Sequence, residues 1–399
     1  MIKSIQNKLL DRTESLFSSD LQRYNDKIYE AIHNKRILVI GGAGTIGRAT
    51  SLELLKYDPK TVILVDKNEN NLVESVRRLR SEFPLLGNRL RSFCLDVGSL
   101  EYDRFCLEYN DFDYVFNLSA MKHVRSERDP YTLMHMIKTN VLNTIRTLEG
   151  KRFGHNVKYF NVSTDKASNP VNLMGATKLL MENFLLQYSA VEKISMARFA
   201  NVAFSDGSLL HGFNQRLSMQ QPITAPREIS RFFVTEEEAG QICLISGALG
   251  ESREIFFPRF KVTDAISFTS LADNYLRENG YQPYECSDEE EAVGLARELI
   301  SKKYWPVFYF ESDTTGEKNL EEFHSSNEKI DFDKFNKLGV IEKPLLSSKQ
   351  LERLVSFIKD YETILSQDSW TKEKLVRLFR RAVPEFIHTE KNKNLDERM

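Results

Sequence analysis

Short apolar runs alternate with longer amphipathic stretches through the first half of the chain. Ile37–Ile40 and Thr61–Val65 are almost wholly apolar, as strands buried on both faces of a sheet require. The same pattern predicts strands at 90–95, 114–118 and 159–162, and helices at 48–57, 72–82 and 132–148. This alternation indicates an α/β fold, a doubly wound parallel sheet of the Rossmann type with helices on both faces.

Composition narrows the class of protein. The 399 residues are 41% hydrophobic and 28% charged, with a net charge of −2, so no global charge attracts nucleic acid or an anionic membrane. The four cysteines form no Cys-x-x-Cys pair, and no metal site is expected. The first twenty residues lack the apolar core of a signal peptide, and no stretch approaches the ~20 apolar residues of a membrane span. A cytoplasmic protein is expected.

A glycine-rich turn follows the first predicted strand. Gly41, Gly44 and Gly47 are spaced Gly-x-x-Gly-x-x-Gly around Thr45 and Ile46, directly before a helix. Glycines there allow a tight turn and a close approach of a pyrophosphate, which the helix N-terminus attracts. The turn therefore predicts a dinucleotide site.

The ends of the next two strands refine that site. Asp66 ends the second strand, where a carboxylate accepts hydrogen bonds from a ribose 2′-OH and repels a 2′-phosphate. This favours NAD over NADP, although Lys67 could accept the phosphate. Asp96 and Val97, after the third strand, are candidates to flank the adenine, and a plain turn is the alternative.

Two later strands also end in polar segments, at the sheet edge where such folds bind ligands. The fourth strand leads into Leu118-Ser119-Ala120, which we expect to contact the cofactor, and then to Lys122. The fifth leads into Thr164-Asp165-Lys166. Lys178 follows twelve residues after Lys166, on a helix predicted to begin near Met174.

Taken in order, these pieces resemble a known family. They are GGAGTIG, NLSAMKHV, TNVLNT, STDKASNPVNLMGATK, RFANVAFSDGS, SRFFVT and TTGEK, between residues 41 and 318. The chain resembles the extended short-chain dehydrogenase/reductase superfamily, and within it the polysaccharide-biosynthesis UDP-N-acetylglucosamine 4,6-dehydratases. The first 35 and last 80 or so residues lie outside this resemblance.

The resemblance implies a redox-neutral reaction on a nucleotide sugar. NAD would take hydride from sugar C4, water would leave across C5 and C6, and hydride would return to C6. Thr164 is then expected to bind the 4-OH and Asp165 to protonate the departing 6-OH. Lys166 is expected to remove H5 if burial or nearby positive charge lowers its pKa. Lys178 would bind the nicotinamide ribose.

One position departs from the superfamily pattern, because Met174 stands where Tyr-x-x-x-Lys has its tyrosine. Methionine cannot accept the 4-OH proton, so Thr164 and Asp165 are expected to relay it. A branch of these dehydratases carries methionine here, and it resembles enzymes that retain the configuration at C5. The family pattern also suggests substrate contacts, expected from Lys122, Asn201, Arg231 and Glu317; Thr314 stands where the family often has arginine.

We predict four parts. These are an N-terminal helical extension (1–35), an NAD-binding domain (36–258, with 203–235 contributing to the substrate cap), a smaller mixed α/β substrate domain (259–345), and a C-terminal helical extension with a disordered tail (346–399). An apolar stripe on Ser347–Phe386 favours packing on the substrate domain or between subunits. A homo-oligomer is expected, since dimers are common in the superfamily. A nucleotide-sugar 4-epimerase and a non-catalytic NAD-binding regulator are the alternative functions.

Overall fold

A nine-stranded sheet forms the centre of the molecule. The computed structural model describes residues 2–149, 153, 156–311 and 318–388. The strands of this sheet are β1 (Arg36–Ile40), β2 (Thr61–Asp66), β3 (Leu90–Cys94), β4 (Tyr114–Asn117), β5 (Lys158–Thr164), β6 (Lys193–Phe199), β11 (Glu254–Pro258), β15 (Lys329–Asp331) and β16 (Leu338–Glu342).

Strand order confirms the predicted fold class. The order is β15-β16-β11-β6-β5-β4-β1-β2-β3. The seven strands from β11 to β3 are parallel, whereas β16 and β15 are antiparallel at one edge. The chain reverses direction across the sheet between β1 and β4, which is the switch point where Rossmann folds open a ligand crevice.

Helices flank the main sheet on both faces, as the sequence pattern predicts, and further helices pack away from it. They are α1 (Ile2–Leu9), α2 (Ser18–Ile32), α3 (Thr45–Leu55), α4 (Glu69–Glu82), α5 (Leu100–Glu108), α6 (Pro130–Ile137), α7 (Asn143–Leu148), α8 (Leu173–Tyr188), α9 (Leu209–Ser218), α10 (Glu236–Leu249), α11 (Phe268–Glu278), α12 (Glu289–Ser301), α13 (Ser348–Leu365) and α14 (Lys372–Ala382). A π-helical turn at Lys138–Leu142 joins α6 to α7. Among the described residues, none of the helices combines the length and apolar character needed to cross a bilayer.

A smaller layer stands beside the main sheet. β8 (Ile223–Pro226), β13 (Gln282–Glu285) and β14 (Tyr304–Phe310) form a three-stranded sheet in the order β13-β14-β8. Two short pairs join the layers: β7 (Asn201–Val202) with β10 (Phe233–Val234), and β9 (Ser230–Arg231) with β12 (Ile266–Ser267). β15 and β16 fall within the range predicted for the substrate domain, yet they pair in the main sheet. The domain boundaries stay a prediction.

The C-terminal helices α13 and α14 pack on α8, a contact that the sequence did not indicate. Leu354, Phe357 and Phe379 of α13 and α14 are buried in one cluster with Leu180 and Phe184 of α8. The expectation that this segment packs on the substrate domain is therefore wrong, because its apolar stripe covers a helix of the Rossmann domain. A role between subunits stays a prediction. Of the predicted disordered tail, 389–399 lies outside the described residues.

Candidate functional site

The glycine turn between β1 and α3 has a geometry that only glycine permits at two positions. Gly41 has φ +75°, and a Cβ added there would lie 2.7 Å from the Ser119 nitrogen. A Cβ on Gly47 would lie 2.1 Å from the Gly41 carbonyl oxygen. Among the described residues, the atom nearest to a Cβ added at Gly44 would be the Gly41 oxygen, at 3.6 Å, so the turn is open on that side. This cradle before a helix N-terminus fits a dinucleotide pyrophosphate.

Asp66 is held against this turn. Its Oδ2 accepts a hydrogen bond from the Ala43 N–H at 3.0 Å and its Oδ1 from the Asn68 N–H at 2.9 Å. The carboxylate is thereby fixed at the end of β2, as a ribose-binding acid requires. Lys67, next to it, is exposed.

The third-strand residues have ordinary turn contacts. Asp96 Oδ1 accepts from the Gly98 N–H at 2.9 Å, and the Val97 side chain is buried. After the fourth strand, the Ser119 hydroxyl likewise has a local partner, since it donates to Asn117 Oδ1 at 2.8 Å. Their predicted contacts with a cofactor stay predictions.

A cavity of about 420 Å³ opens beside the glycine turn. It brings together most of the residues singled out from the sequence, although they come from three strand ends, two helices and the short strand β7. Its walls include Gly41, Gly44, Thr45, Ile46, Gly47, Leu118, Ala120, Lys122, Thr164, Asp165, Lys166, Met174, Lys178 and Asn201.

Thr164, Asp165 and Lys166 form a hydrogen-bonded cluster at the end of β5. The Thr164 hydroxyl donates to Asp165 Oδ1 at 2.8 Å, and Lys166 Nζ lies 3.0 Å from the same oxygen. Asp165 is 2% exposed, so solvent screens this pair little. The arrangement provides a hydroxyl, a carboxylate and an ammonium within one hydrogen-bonded chain.

The pKa of Lys166 is raised, contrary to the expectation from sequence. Burial lowers this pKa, but the negative charges of Asp165 and Glu321 raise it by more, against a smaller opposing effect of Arg231. Glu321 Oε1 lies 3.7 Å from Lys166 Nζ. In this structure Lys166 is therefore an ammonium group.

The surroundings of Lys178 lower its pKa, in contrast to those of Lys166. It lies on α8, whose N-terminus is capped by Asn172 accepting from the Gly175 N–H. Its Nζ donates to the Val162 carbonyl at 2.9 Å, and burial lowers its pKa to about 8, against the smaller effect of Glu182. Met174, one turn earlier, is buried and also lines the cavity.

Two further polar residues of the cavity wall were predicted to contact substrate. Lys122 Nζ donates to the Ser205 hydroxyl at 3.1 Å, and burial lowers its pKa although Asp206 opposes the shift. Asn201 donates to the Phe232 carbonyl at 3.4 Å. Both line the cavity, and their contacts with substrate stay predictions.

The two remaining predicted substrate contacts are Arg231 and Glu317. The Arg231 guanidinium is buried and donates to the Ser230 and Lys318 carbonyls at 2.9 and 2.8 Å. It does not line the cavity, and its predicted contact with substrate phosphates stays a prediction. Glu317 lies outside the described residues.

Sequence reasoning missed Asp206 at the cavity, and it interpreted His123 as a structural imidazole. The Thr45 hydroxyl donates to Asp206 Oδ2 at 3.2 Å, at the N-terminus of α3; the segment RFANVAFSDGS pointed to this loop without assigning Asp206 a place. His123 also lines the cavity. Burial and the nearby cations Lys122 and Arg125 lower its pKa to about 4, so it is a neutral imidazole near pH 7.

The family follows from a match across most of the chain. Residues 37–342 match the family described as polysaccharide biosynthesis protein. The chain belongs to this family. The resemblance that the motifs carry is thereby confirmed.

Curated relatives match different shares of this chain and of their own length. The membrane protein MJ1061 of Methanocaldococcus jannaschii is 36% identical over 63% of this chain and 74% of its own length. The capsular polysaccharide biosynthesis protein CapD of Staphylococcus aureus is 30% identical over 75% of this chain, which spans only 47% of CapD. An inverting UDP-N-acetylglucosamine 4,6-dehydratase of Campylobacter jejuni is 30% identical over 60% of this chain and 70% of its own length. More distant relatives include a UDP-glucose 4-epimerase of Rickettsia bellii, 26% identical over 56% of this chain and 65% of its own length.

Solved structures share the fold. Pen from Bacillus thuringiensis has a TM-score of 0.64 and 23% identity, covering 88% of this chain and 98% of its own. WbmF from Bordetella bronchiseptica, solved in complex with NAD+, has a TM-score of 0.51 and 17% identity, covering 63% of this chain and 81% of its own. At these identities the likeness shows the fold.

Proposed function

We propose that this protein is an NAD-dependent nucleotide-sugar 4,6-dehydratase. It converts UDP-N-acetylglucosamine, or a related nucleotide hexosamine, to a 4-keto-6-deoxy sugar nucleotide. The hydrogen-bonded Thr164–Asp165–Lys166 cluster, facing the same cavity as the glycine turn, carries the proposal. The Campylobacter jejuni relative with the same named activity supports it.

The residues fit a bound NAD. The glycine turn and the N-terminus of α3 would hold its pyrophosphate, Asp66 its adenosine ribose and Lys178 its nicotinamide ribose. Since Asp66 is a fixed carboxylate, it disfavours a 2′-phosphate and hence NADP. When bound, NAD accepts hydride from C4 of the sugar and returns it to C6.

This chain's own residues move the protons. Thr164 takes the proton of the 4-OH and passes its own to Asp165, along the 2.8 Å hydrogen bond between them. The C4 ketone acidifies H5, which Lys166 removes as a free amine. Asp165 then protonates the departing 6-OH, so that water leaves. Proton transfers of this kind contribute about 10²–10⁴ each to an enzymatic rate.

Retention at C5 follows from a single base. If Lys166 both removes the C5 proton and returns one, the proton arrives on the face from which it left. Met174 supplies no hydroxyl for a second acid at its position. The Campylobacter jejuni relative is named as inverting, so the stereochemistry needs direct measurement.

The same residues disfavour a 4-epimerase. Epimerization needs a proton acceptor for the 4-OH but no acid for a departing 6-OH and no base at C5. Met174 replaces the tyrosine expected of such an enzyme, whereas the buried acid and its neighbouring lysine have no use in it. A non-catalytic regulator would need none of the cluster.

Proton NMR of the purified protein with UDP-N-acetylglucosamine in D₂O tests the proposal. Without added NAD, we expect a new C6 methyl signal and deuterium at C5, with couplings that report retention. The Asp165→Asn variant should lack the methyl signal, because an amide cannot protonate the leaving hydroxyl. A C4 epimer without a methyl group would instead indicate an epimerase. An unchanged spectrum after adding NAD, and with GDP- and dTDP-sugars, would contradict enzymatic dehydration.

A further inference from the structure

The Thr164–Asp165–Lys166 cluster alone cannot hold the protons that the proposed dehydration moves. Before substrate binds, the Lys166 ammonium donates a hydrogen bond to Asp165 Oδ1 at 3.0 Å, and the ammonium proton is the one acidic proton of the pair. Oxidation at C4 delivers a second proton to Asp165 through Thr164. Lys166 must nevertheless be a free amine before it takes H5, so one proton needs a third holder.

Glu321 lies next to Lys166 and has an oxygen to spare. Its side chain is 2% exposed, and its Oε1 lies 3.7 Å from Lys166 Nζ and 3.9 Å from Arg231 Nη2. Its Oε2 is buried and has no hydrogen-bond partner among the described parts of the chain. A buried carboxylate oxygen without a partner is costly in a merely structural ion pair.

We propose that Glu321 holds the ammonium proton of Lys166 during the elimination. This inference rests on the proposed dehydratase function. Before elimination, Asp165 carries the 4-OH proton, Glu321 carries the former lysine proton, and Lys166 is neutral. Lys166 then takes H5 while Asp165 gives its proton to the departing hydroxyl. After Lys166 returns a proton to C5, Glu321 gives its proton back, and the three side chains regain their starting charges.

The charges around Glu321 favour this exchange. Burial raises the pKa of Glu321, while Lys166, Arg231 and Lys318 oppose the rise. The charge of Asp165 adds to the rise only until Asp165 takes the 4-OH proton, so burial is what favours Glu321 as the acceptor afterwards. A raised pKa makes the carboxylate a better proton acceptor. Protonation of Asp165 also removes the largest effect that raises the pKa of Lys166. The 4-OH proton therefore prompts Lys166 to release its own. Glu321 acts through Lys166 and is a positioning residue in that sense.

The Glu321→Gln variant tests this role, because glutamine keeps the shape but cannot take the proton. Trace acetylation of ligand-free protein across pH, with mass spectrometry of the Lys166 peptide, measures the Lys166 pKa without any turnover. We expect a lower pKa than in the wild type. Methyl formation should fall about 10²-fold near pH 7 and recover about tenfold per pH unit, as solvent takes the lysine proton instead. Glu322→Gln, an exposed neighbour that hydrogen-bonds Asn169, is the matched control and should resemble the wild type.

An unchanged Lys166 pKa and an unchanged pH profile in Glu321→Gln would overturn the proposal. If that variant does not fold, Glu321→Asp decides. Because aspartate keeps the carboxylate, Glu321→Asp should retain methyl formation within about tenfold of wild type. A loss of about 10²-fold or more would indicate that Glu321 does not hold the proton. Failure of the dehydratase proposal is distinguishable, because the wild type would then form no methyl product although acetylation still reports the Glu321–Lys166 coupling.

Discussion

Lys166 and Lys178 line one cavity, but their surroundings differ in charge. Lys178 is enclosed by α8 and β5, where it meets the Val162 carbonyl and the sulfur of Met181, and its pKa falls to about 8. Lys166 lies where the main sheet meets the 318–323 segment, beside two carboxylates, and its pKa rises. Burial of a lysine therefore does not determine its protonation. The charges of Asp165 and Glu321 outweigh the burial of Lys166, whereas the charge of Glu182 does not outweigh that of Lys178.

The largest effect is expected from removing Lys166, the proposed base at C5. Lys166→Met should reduce methyl formation by about 10³-fold, within the range for a lost acid–base group. C4 oxidation should persist, so bound reduced cofactor should accumulate at 340 nm after substrate is added. Lys193→Met, which removes an exposed lysine, should behave as wild type. Wild-type turnover in Lys166→Met would remove the distinction between the two lysines.

A smaller effect is expected at the binding group. Lys178→Met should lower turnover about 10²-fold and release cofactor, since its ammonium is proposed to hold the nicotinamide ribose. The amount of NAD that stays with the protein through gel filtration measures this loss. Lys166→Met should keep its cofactor in the same experiment. Equal retention in both variants would mean that Lys178 does not bind the cofactor.

The smallest expected effect is the loss of kcat/KM at high pH that the lowered pKa of Lys178 should cause. Lys178 is required as an ammonium group, and its pKa of about 8 lies within an accessible range. As pH rises through this value the proton is lost, so kcat/KM should fall about tenfold per unit above pH 8. Lys166, whose pKa is raised, should add no loss there. A flat profile up to pH 9.5 or so would contradict the lowered pKa.

Local patterns predicted the parallel sheet and the glycine turn because both depend on residues close in sequence. β1 and β2 read as continuous apolar runs and were found within one residue of their bounds. β6 was missed, since its sequence KISMARF contains charged residues. Arg198, which is fully buried in β6, is paired with Glu182 of α8 at 2.8 Å. A charge that is neutralised by a distant partner looks like a surface residue in the sequence.

The candidate site shows the same limit. Thr164, Asp165 and Lys166 are adjacent, and the motif named them together. Glu321 reaches Lys166 only after more than 150 residues of intervening chain, and no spacing rule connects the two. The rise in the Lys166 pKa was missed for the same reason, because the sequence does not indicate which charges meet a buried lysine.

The C-terminal helices have a consequence for the order in which the protein matures. Ile387 donates to the Pro170 carbonyl at 3.1 Å, just before α8, and Phe357 and Phe379 are buried in the cluster that also contains Phe184 and Leu180 of α8. The helix with Met174 and Lys178 therefore lacks part of its core while the ribosome is still making α13 and α14. A nascent chain can form its glycine turn before α13 and α14 exist, but α8 gains its full packing only when these two helices have emerged.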